Sequence, residues 1–431
     1  MQTALIILFL TGYAAIVFEH ILKVNKAGVA LVMGVLCWTV FILSPGADTE
    51  GILHQINEEL SDIANVLFFL VGAMTIVEVV DSHGGFRFVT DRIRTRNKRG
   101  LLWTISLITF FLSAVLDNLT TTIIMISLLN KLVEEEEDRW LFVSMVIISA
   151  NAGGAWTPMG DVTTTMLWIG HQVTTGAIIT KLFIPSVVSL LVPLAAFTFL
   201  MRGQVAAPKE TISYGLPLPN SIRVSVLFLG VGILVAVPVF KAVTHLPPFT
   251  GMMLGVGILW VFTGALYHRH HGGLLKKRRL SVTRALHHIE ISTILFFLGI
   301  LLCVGALRCS GILGGMAQWL ERAVGNEGVI VTIIGFVSAV VDNVPLVAAA
   351  QGMYDMGTHP TDCFLWEFLA YAAGTGGSML IIGSAAGVAA MGLQKMNFIW
   401  YLKKVSGWAV LGYLAGAGTY ILENRLFPGA H

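Results

Sequence analysis

Apolar stretches about 20 residues long, each enough to carry a helix through a bilayer, recur along the chain. They lie near 3–22, 27–44, 63–81, 141–170, 178–201, 222–241, 248–267, 290–307, 363–393 and 405–426. Two further apolar segments, 101–131 and 328–352, each carry an Asp-Asn pair near the middle, Asp117-Asn118 and Asp342-Asn343. A carboxylate beside a carboxamide suits a re-entrant hairpin turning at membrane depth better than a clean span. The stretch Asn151-Ala152-Gly153-Gly154-Ala155-Trp156-Thr157-Pro158-Met159-Gly160-Asp161 cannot be one regular helix, because Gly-Gly and Pro release backbone carbonyls within a few residues. The pattern predicts an all-α polytopic membrane protein with about ten transmembrane helices, two re-entrant hairpins and two broken helices at 141–170 and 363–393.

The two halves repeat. Asp62 to Leu70 matches Glu290 to Leu298, and Ser113-Ala114-Val115-Leu116-Asp117-Asn118 returns as Ser338-Ala339-Val340-Val341-Asp342-Asn343. Asn151 to Gly154 with Gly160-Asp161 matches Gly374-Thr375-Gly376-Gly377 with Gly383-Ser384. An odd number of spans per half turns the second copy upside down, which predicts inverted-topology repeats over 1–201 and 222–431 joined by a cytoplasmic linker at 202–221. With the N-terminus outside, 22 of the 27 Lys and Arg fall in predicted cytoplasmic segments, leaving Lys181, Lys241, Arg308, Arg322 and Arg425 outside. Both termini are then expected outside a bacterial inner membrane.

Composition excludes a water-soluble core: 55% of residues are hydrophobic, 12% are charged, and the mean hydropathy is +0.80. The four cysteines have no CxxC spacing, which indicates neither a zinc site nor a disulfide framework. The N-terminus lacks the basic start of a secretory signal and reads as a first span. No nucleotide-binding pattern is present, and no cofactor or nucleic-acid partner is expected.

A duplicated acid at lipid depth is a functional-site signal, since a buried charge is costly unless paired or internally solvated. Asp117 and Asp342 would supply charge, with Asn118, Asn343 and Thr120 adding neutral oxygens of the kind a hard cation prefers. The plainer reading is that the acids only cap half-helices. Asn151, Thr157 and Asp161 join the site or its surroundings, unless the glycines are kinks for close packing. The counterpart in the second half offers hydroxyls and glycines but no acid. Glu78 and Glu290 are candidates for proton access, although Glu290 and its repeat mate Asp62 also suit a helix start. The acidic run 134–138 and the histidines at 268–271 and 287–288 read as solvated cytoplasmic loops.

The order LFFLVGAMTIVE (67–78), SAVLDNLTTT (113–122), NAGGAWTPMGD (151–161) and SAVVDNVPL (338–346) resembles the NhaD family of sodium/proton antiporters. These belong to a superfamily that also holds arsenite and dicarboxylate permeases. The resemblance implies that Asp117, Asn118, Thr120, Asn151, Asp161, Asp342, Asn343, Ser378 and Ser384 matter for exchange. It also implies a homodimer whose scaffold carries a moving domain of hairpins and broken helices.

The expected function is therefore exchange of Na+ or Li+ for H+ by alternating access. Burial favours the uncharged form of a carboxyl, so cation and protons would compete for one midplane site containing Asp117 and Asp342. The alternatives are an anion or oxyacid permease on the same fold and, from another class, an intramembrane aspartyl protease.

Overall fold

In the computed structural model, residues 1–17, 19–46, 48–86, 93, 95, 97–205, 219–269 and 282–426 are described. Linker residues 206–218, the basic residues Arg87, Arg92, Arg94 and Arg96, and His270 and His271 lie outside this set.

The first half contains Gln2–Val17 (α1), a single turn at Glu19–Leu22, Lys26–Ile42 (α2), Thr49–Ser82 (α3), Lys98–Ser113 (α4), Asn118–Leu132 (α5), Glu136–Gly154 (α6), Val162–Ile169 (α7) and Thr175–Leu200 (α8). The second contains Asn220–Thr244 (α9), Pro248–Arg269 (α10), Val282–His288 (α11), Ile291–Cys309 (α12), Ile312–Val324 (α13), Glu327–Ser338 (α14), Asn343–Met353 (α15), Phe364–Gly376 (α16) and Ala385–Gln394 (α17). A last helix, Phe398–Leu426 (α18), carries a π turn at Leu402–Ser406. Among the described residues the structure is helical apart from one isolated bridge between Asn97 and Gln204.

Six helices are long and apolar enough to cross a membrane: α3, α8, α9, the Pro248–Leu266 part of α10, α12 and α18. The apolar helices α1 and α2 have 16 and 17 residues. At 34 residues, α3 is about 51 Å long and overshoots a hydrocarbon core of about 30 Å. Its polar first turns, with Glu50, His54, Asn57 and Glu58, supply the part that need not be in lipid. The predicted spans at 141–170 and 363–393 each divide into two helices, α6 with α7 and α16 with α17.

Helix α2 lies closely against α12. Gly34 and Gly299 face each other there, and a Cβ on Gly299 would run into the backbone of Ala30. The contact is completed by Trp38 Nε1 donating to the Leu302 carbonyl at 2.8 Å and by the free thiols of Cys37 and Cys303, 3.3 Å apart. Small residues let two backbones approach where lipid supplies no hydrophobic force between helices. Around this pair, α1, α3 and α12 bury Leu5, Ile63, Leu70 and Phe296. A second cluster packs α4, α5, α6 and α8 through Phe110, Met125, Phe142 and Leu194.

Gly299→Val should force α2 and α12 apart and lower stability by about 1–3 kcal/mol, read as a lower melting temperature in detergent. Gly314→Ala, where an added Cβ meets open space on α13, should leave it unchanged.

Candidate ion-binding site

Four helices start inside the bundle, and in each the residue before the first turn caps it. Asp117 caps α5, with Oδ1 accepting from the Thr120 amide at 2.7 Å and Oδ2 from the Thr120 hydroxyl at 2.8 Å. Asp342 caps α15 by accepting from the Val344 amide at 3.3 Å. Asp161 caps α7, where Oδ1 takes both the amide and the hydroxyl of Thr163 at 2.8 Å. Ser384 caps α17 through the Gly387 amide at 3.2 Å. These bonds satisfy amides that helix geometry leaves free, which explains why the chain stops and restarts here.

Each hairpin is fastened to its neighbouring broken helix in the same way. Ser113 Oγ donates to the Ala150 carbonyl at 2.6 Å, and Ser338 Oγ donates to that of Ala373 at 3.0 Å. Gly153 lies against the backbone of Phe110 and Gly376 against that of Gly335, leaving no room for a Cβ at either crossing. The connection between α6 and α7 is held by Thr157, whose hydroxyl donates to the Ala114 carbonyl at 2.6 Å and accepts from the Gly160 amide at 3.0 Å.

Between these elements lies one buried polar cluster. Asn118 Nδ2 on α5 donates to Asp161 Oδ2 at 2.6 Å and to Asn151 Oδ1 at 3.0 Å. Asn343 Nδ2 on α15 approaches both Asp161 oxygens at 3.4 Å. Asn151 Nδ2 in turn donates to Ser378 Oγ and Ser384 Oγ, both at 2.9 Å. Asp161 is 1% exposed, and Asn118, Asn151, Asn343, Ser378 and Ser384 are all buried. Its hydrogen-bond partners among the described residues are amides and hydroxyls. A buried carboxylate so placed needs a proton or a cation to offset its charge.

The structure thus brings together Asn118, Asn151, Asp161, Asn343, Ser378 and Ser384, with Thr157 pinning the adjoining loop. The paired acids of the sequence repeat take separate positions around this cluster. Asp117 and Thr120 border a cavity of about 70 Å³ closed by Phe69, Leu70, Met74 and Phe297, room for one or two waters or a small cation. Asp342 is turned toward Lys26, with Nζ to Oδ2 at 4.0 Å. Both lie within electrostatic reach of Asp161. Glu78 is half-buried on α3, one residue beyond the cavity-lining Val77. Glu290 is exposed at the start of α12, where the Ser292 hydroxyl reaches it at 3.4 Å.

The sequence reading names neither Thr163 nor Lys26 as a site residue, counting Lys26 only among the cytoplasmic basic residues. Thr163 had a signal, because Asp161-Val162-Thr163 repeats the theme of an acid with a hydroxyl in the next turn seen at Asp117 to Thr120. A larger cavity, about 400 Å³, lies beside the loops at 170–172 and 245–248 and reaches down to Met166 and Val66. Glu59 in its wall is held by Arg308, with Nε at 2.8 Å and Nη2 in contact with the same oxygen. Burial, then the charge of nearby Lys241, push the His171 imidazole at the mouth below its ordinary pKa.

Residues 13–376 match the CitMHS family, described as citrate transporter. Sodium/proton antiporter 1 of Arabidopsis thaliana is 49% identical over 99% of this chain and 73% of its own. The Na(+)/H(+) antiporter NhaD of Alkalimonas amylolytica is 32% identical over 97% of this chain and 90% of its own. The chain belongs to the NhaD-type antiporters of the CitMHS family. Among solved structures the YdaH transporter of Alcanivorax borkumensis superposes with a TM-score of 0.58 at 11% identity, covering 93% of this chain and 97% of its own. That likeness places the NhaD-type chain on a membrane-transporter fold.

Asp161→Asn should keep the fold, since the carboxamide oxygen can still cap Thr163 and flips of the Asn118, Asn151 and Asn343 amides can meet its new NH2 donor. Asp161→Leu strands the Asn343 amide and the Thr163 main-chain N–H and leaves the Asn118 amide with Asn151 alone, at about 1–3 kcal/mol for each group left unpaired. Thermal unfolding in detergent should rank them wild type and Asp161→Asn together, with Asp161→Leu clearly lower.

Proposed function

We propose that the protein is a secondary active antiporter exchanging Na+ or Li+ for H+ by alternating access. The observation that carries this reading is the burial of Asp161 between one asparagine from each hairpin, with amides and hydroxyls as its partners. Such a carboxylate accepts a proton or a hard cation, and each drives off the other. Asp117 and Asp342 flank it as further carboxylates on the ion path, and Asn151, Ser378 and Ser384 hold the amide orientations.

The same geometry disfavours an anionic substrate. Half-helix N-termini attract anions through their free amides and positive dipole ends. Here one amide at each of these starts is taken by the chain's own carboxylates or by Ser384. An entering anion would meet three acids around those helix starts.

In the proposed cycle, hairpins and broken helices move as a unit against a scaffold built on α2, α3 and α12, with the halves related as inverted repeats. The wide cavity by Glu59 and Arg308 serves the outer face, and the small one at Asp117 lies toward the inner face. Protons from outside neutralise the carboxylates, and inside Na+ takes their oxygens and displaces the protons. The filled site then returns to release Na+ outside. We place the protein in a bacterial inner membrane as a homodimer, and the bias of Lys and Arg puts both termini outside.

Everted vesicles containing the wild type should collapse an imposed pH gradient on addition of Na+ or Li+. Asp161→Asn should reduce this by 100-fold or more, the order expected from removing the one charge at the centre (roughly 3 kcal/mol or above). Asp117→Asn and Asp342→Asn should each impair it severely. Exchange at wild-type rates in Asp161→Asn would overturn the proposed site.

A further inference from the structure

Lys26 opens α2, and sequence reasoning counts it among the cytoplasmic basic residues of a positive-inside layout. Its side chain is engaged inside the bundle. The ammonium lies 4.0 Å from Asp342 Oδ2 and 4.9 Å from the centre of the Phe296 ring on α12. The two side chains are 29% and 21% exposed, which puts the pair in a partly screened position. Tyr13 on α1 completes the setting, with a buried hydroxyl that lies beside the Asp342 main chain. Among the described residues, the groups facing the Asp342 carboxylate are Tyr13 from α1, Lys26 from α2 and, across the hairpin tip, Asp161 from the start of α7.

Asp342 thus differs from Asp117, whose carboxylate is held by Thr120 and borders a cavity. The repeat provides two like acids, and among the described residues only Asp342 is seen with a nearby ammonium. An ammonium at this distance offsets the carboxylate while no ion is bound, and it repels any cation that approaches the same oxygens. A cation can occupy Asp342 only if Lys26 swings back along its flexible stem.

We propose that Lys26 is a built-in competitor for the transported cation at Asp342, setting how tightly Na+ and protons are held there. The inference rests on the exchange proposed above and goes beyond it, by assigning the tuning of affinity to a residue outside the hairpins. Because Lys26 belongs to the α2–α12 pair while Asp342 rides on a hairpin tip, displacement of one relative to the other would part them. The competitor is then present in one state of the cycle and withdrawn in the other.

Removing the charge should lower the KM for Na+ by about five-fold at alkaline pH, where protons do not compete, as expected for one unit charge at 4 Å in a largely aqueous field. Protons lose the same rival, so the acid limb of the activity profile should move to higher pH by about half a unit or more. Lys26→Gln and Lys26→Met both test this, the second keeping the aliphatic stem over Phe296 in case the first fails to accumulate. Lys26→Arg should restore the wild-type KM and profile. The readout is initial-rate exchange in proteoliposomes over a range of Na+ concentration and pH.

If Lys26 merely anchors the end of α2 at the membrane surface, the neutral variants will keep the wild-type KM and pH profile, and the inference fails. A fall in KM with no movement of the acid limb would also overturn it, because a true rival acts on both ions. A wild type without Na+-dependent proton movement would instead overturn the proposed exchange itself. The two failures are therefore distinguishable.

Discussion

One carboxyl group, deeply buried and without a positive partner among the described residues, governs the rest of the architecture. Asp161 is reached by Asn118 and Asn343, and it caps the helix that begins at Val162. Bringing an asparagine from each hairpin to one carboxylate requires both hairpins to turn deep in the bundle. This requires two helix breaks and two helix starts, and the main-chain groups freed at each break must be satisfied without water. The serine and threonine contacts to Ala150, Ala373 and Ala114 do part of that work.

Much of this was legible in the sequence because the breaks have local causes. Ser-Ala-Val-Leu-Asp-Asn and its repeat mark where α4 and α14 stop and α5 and α15 begin, since an aspartate that can bind the amides of a following turn starts a helix wherever it stands. The Gly-Gly and Thr-Pro-Met-Gly-Asp run between α6 and α7 offered similar punctuation. The plainer reading of Asp117 and Asp342 as helix caps describes their hydrogen bonds, and capping does not conflict with ion handling. A cap holds a carboxylate in place while leaving lone pairs for another ligand.

Less legible was which acid would sit at the centre. The duplicated Asp117 and Asp342 drew attention because repetition is visible in a string of letters. Asp161 is named among the site residues, but with only Ser384 as its repeat mate symmetry gives it no prominence. Its centrality comes from contacts with residues 43 and 182 positions away in the chain, and no periodicity encodes those. Lys26 was obscured for a related reason: counting basic residues by loop assigns a side of the membrane to a backbone position, while a long side chain chooses its own neighbourhood.

The threefold stitching of hydroxyls to carbonyls across α4, α6, α14 and α16 also bears on speed. Elements joined by side-chain to main-chain bonds at crossings too tight for a Cβ have little freedom to slide individually. On the proposed cycle they travel as one body, and the slow event is a large object shifting through viscous hydrocarbon. With the ion saturating, turnover would then follow the thickness and fluidity of the surrounding lipid.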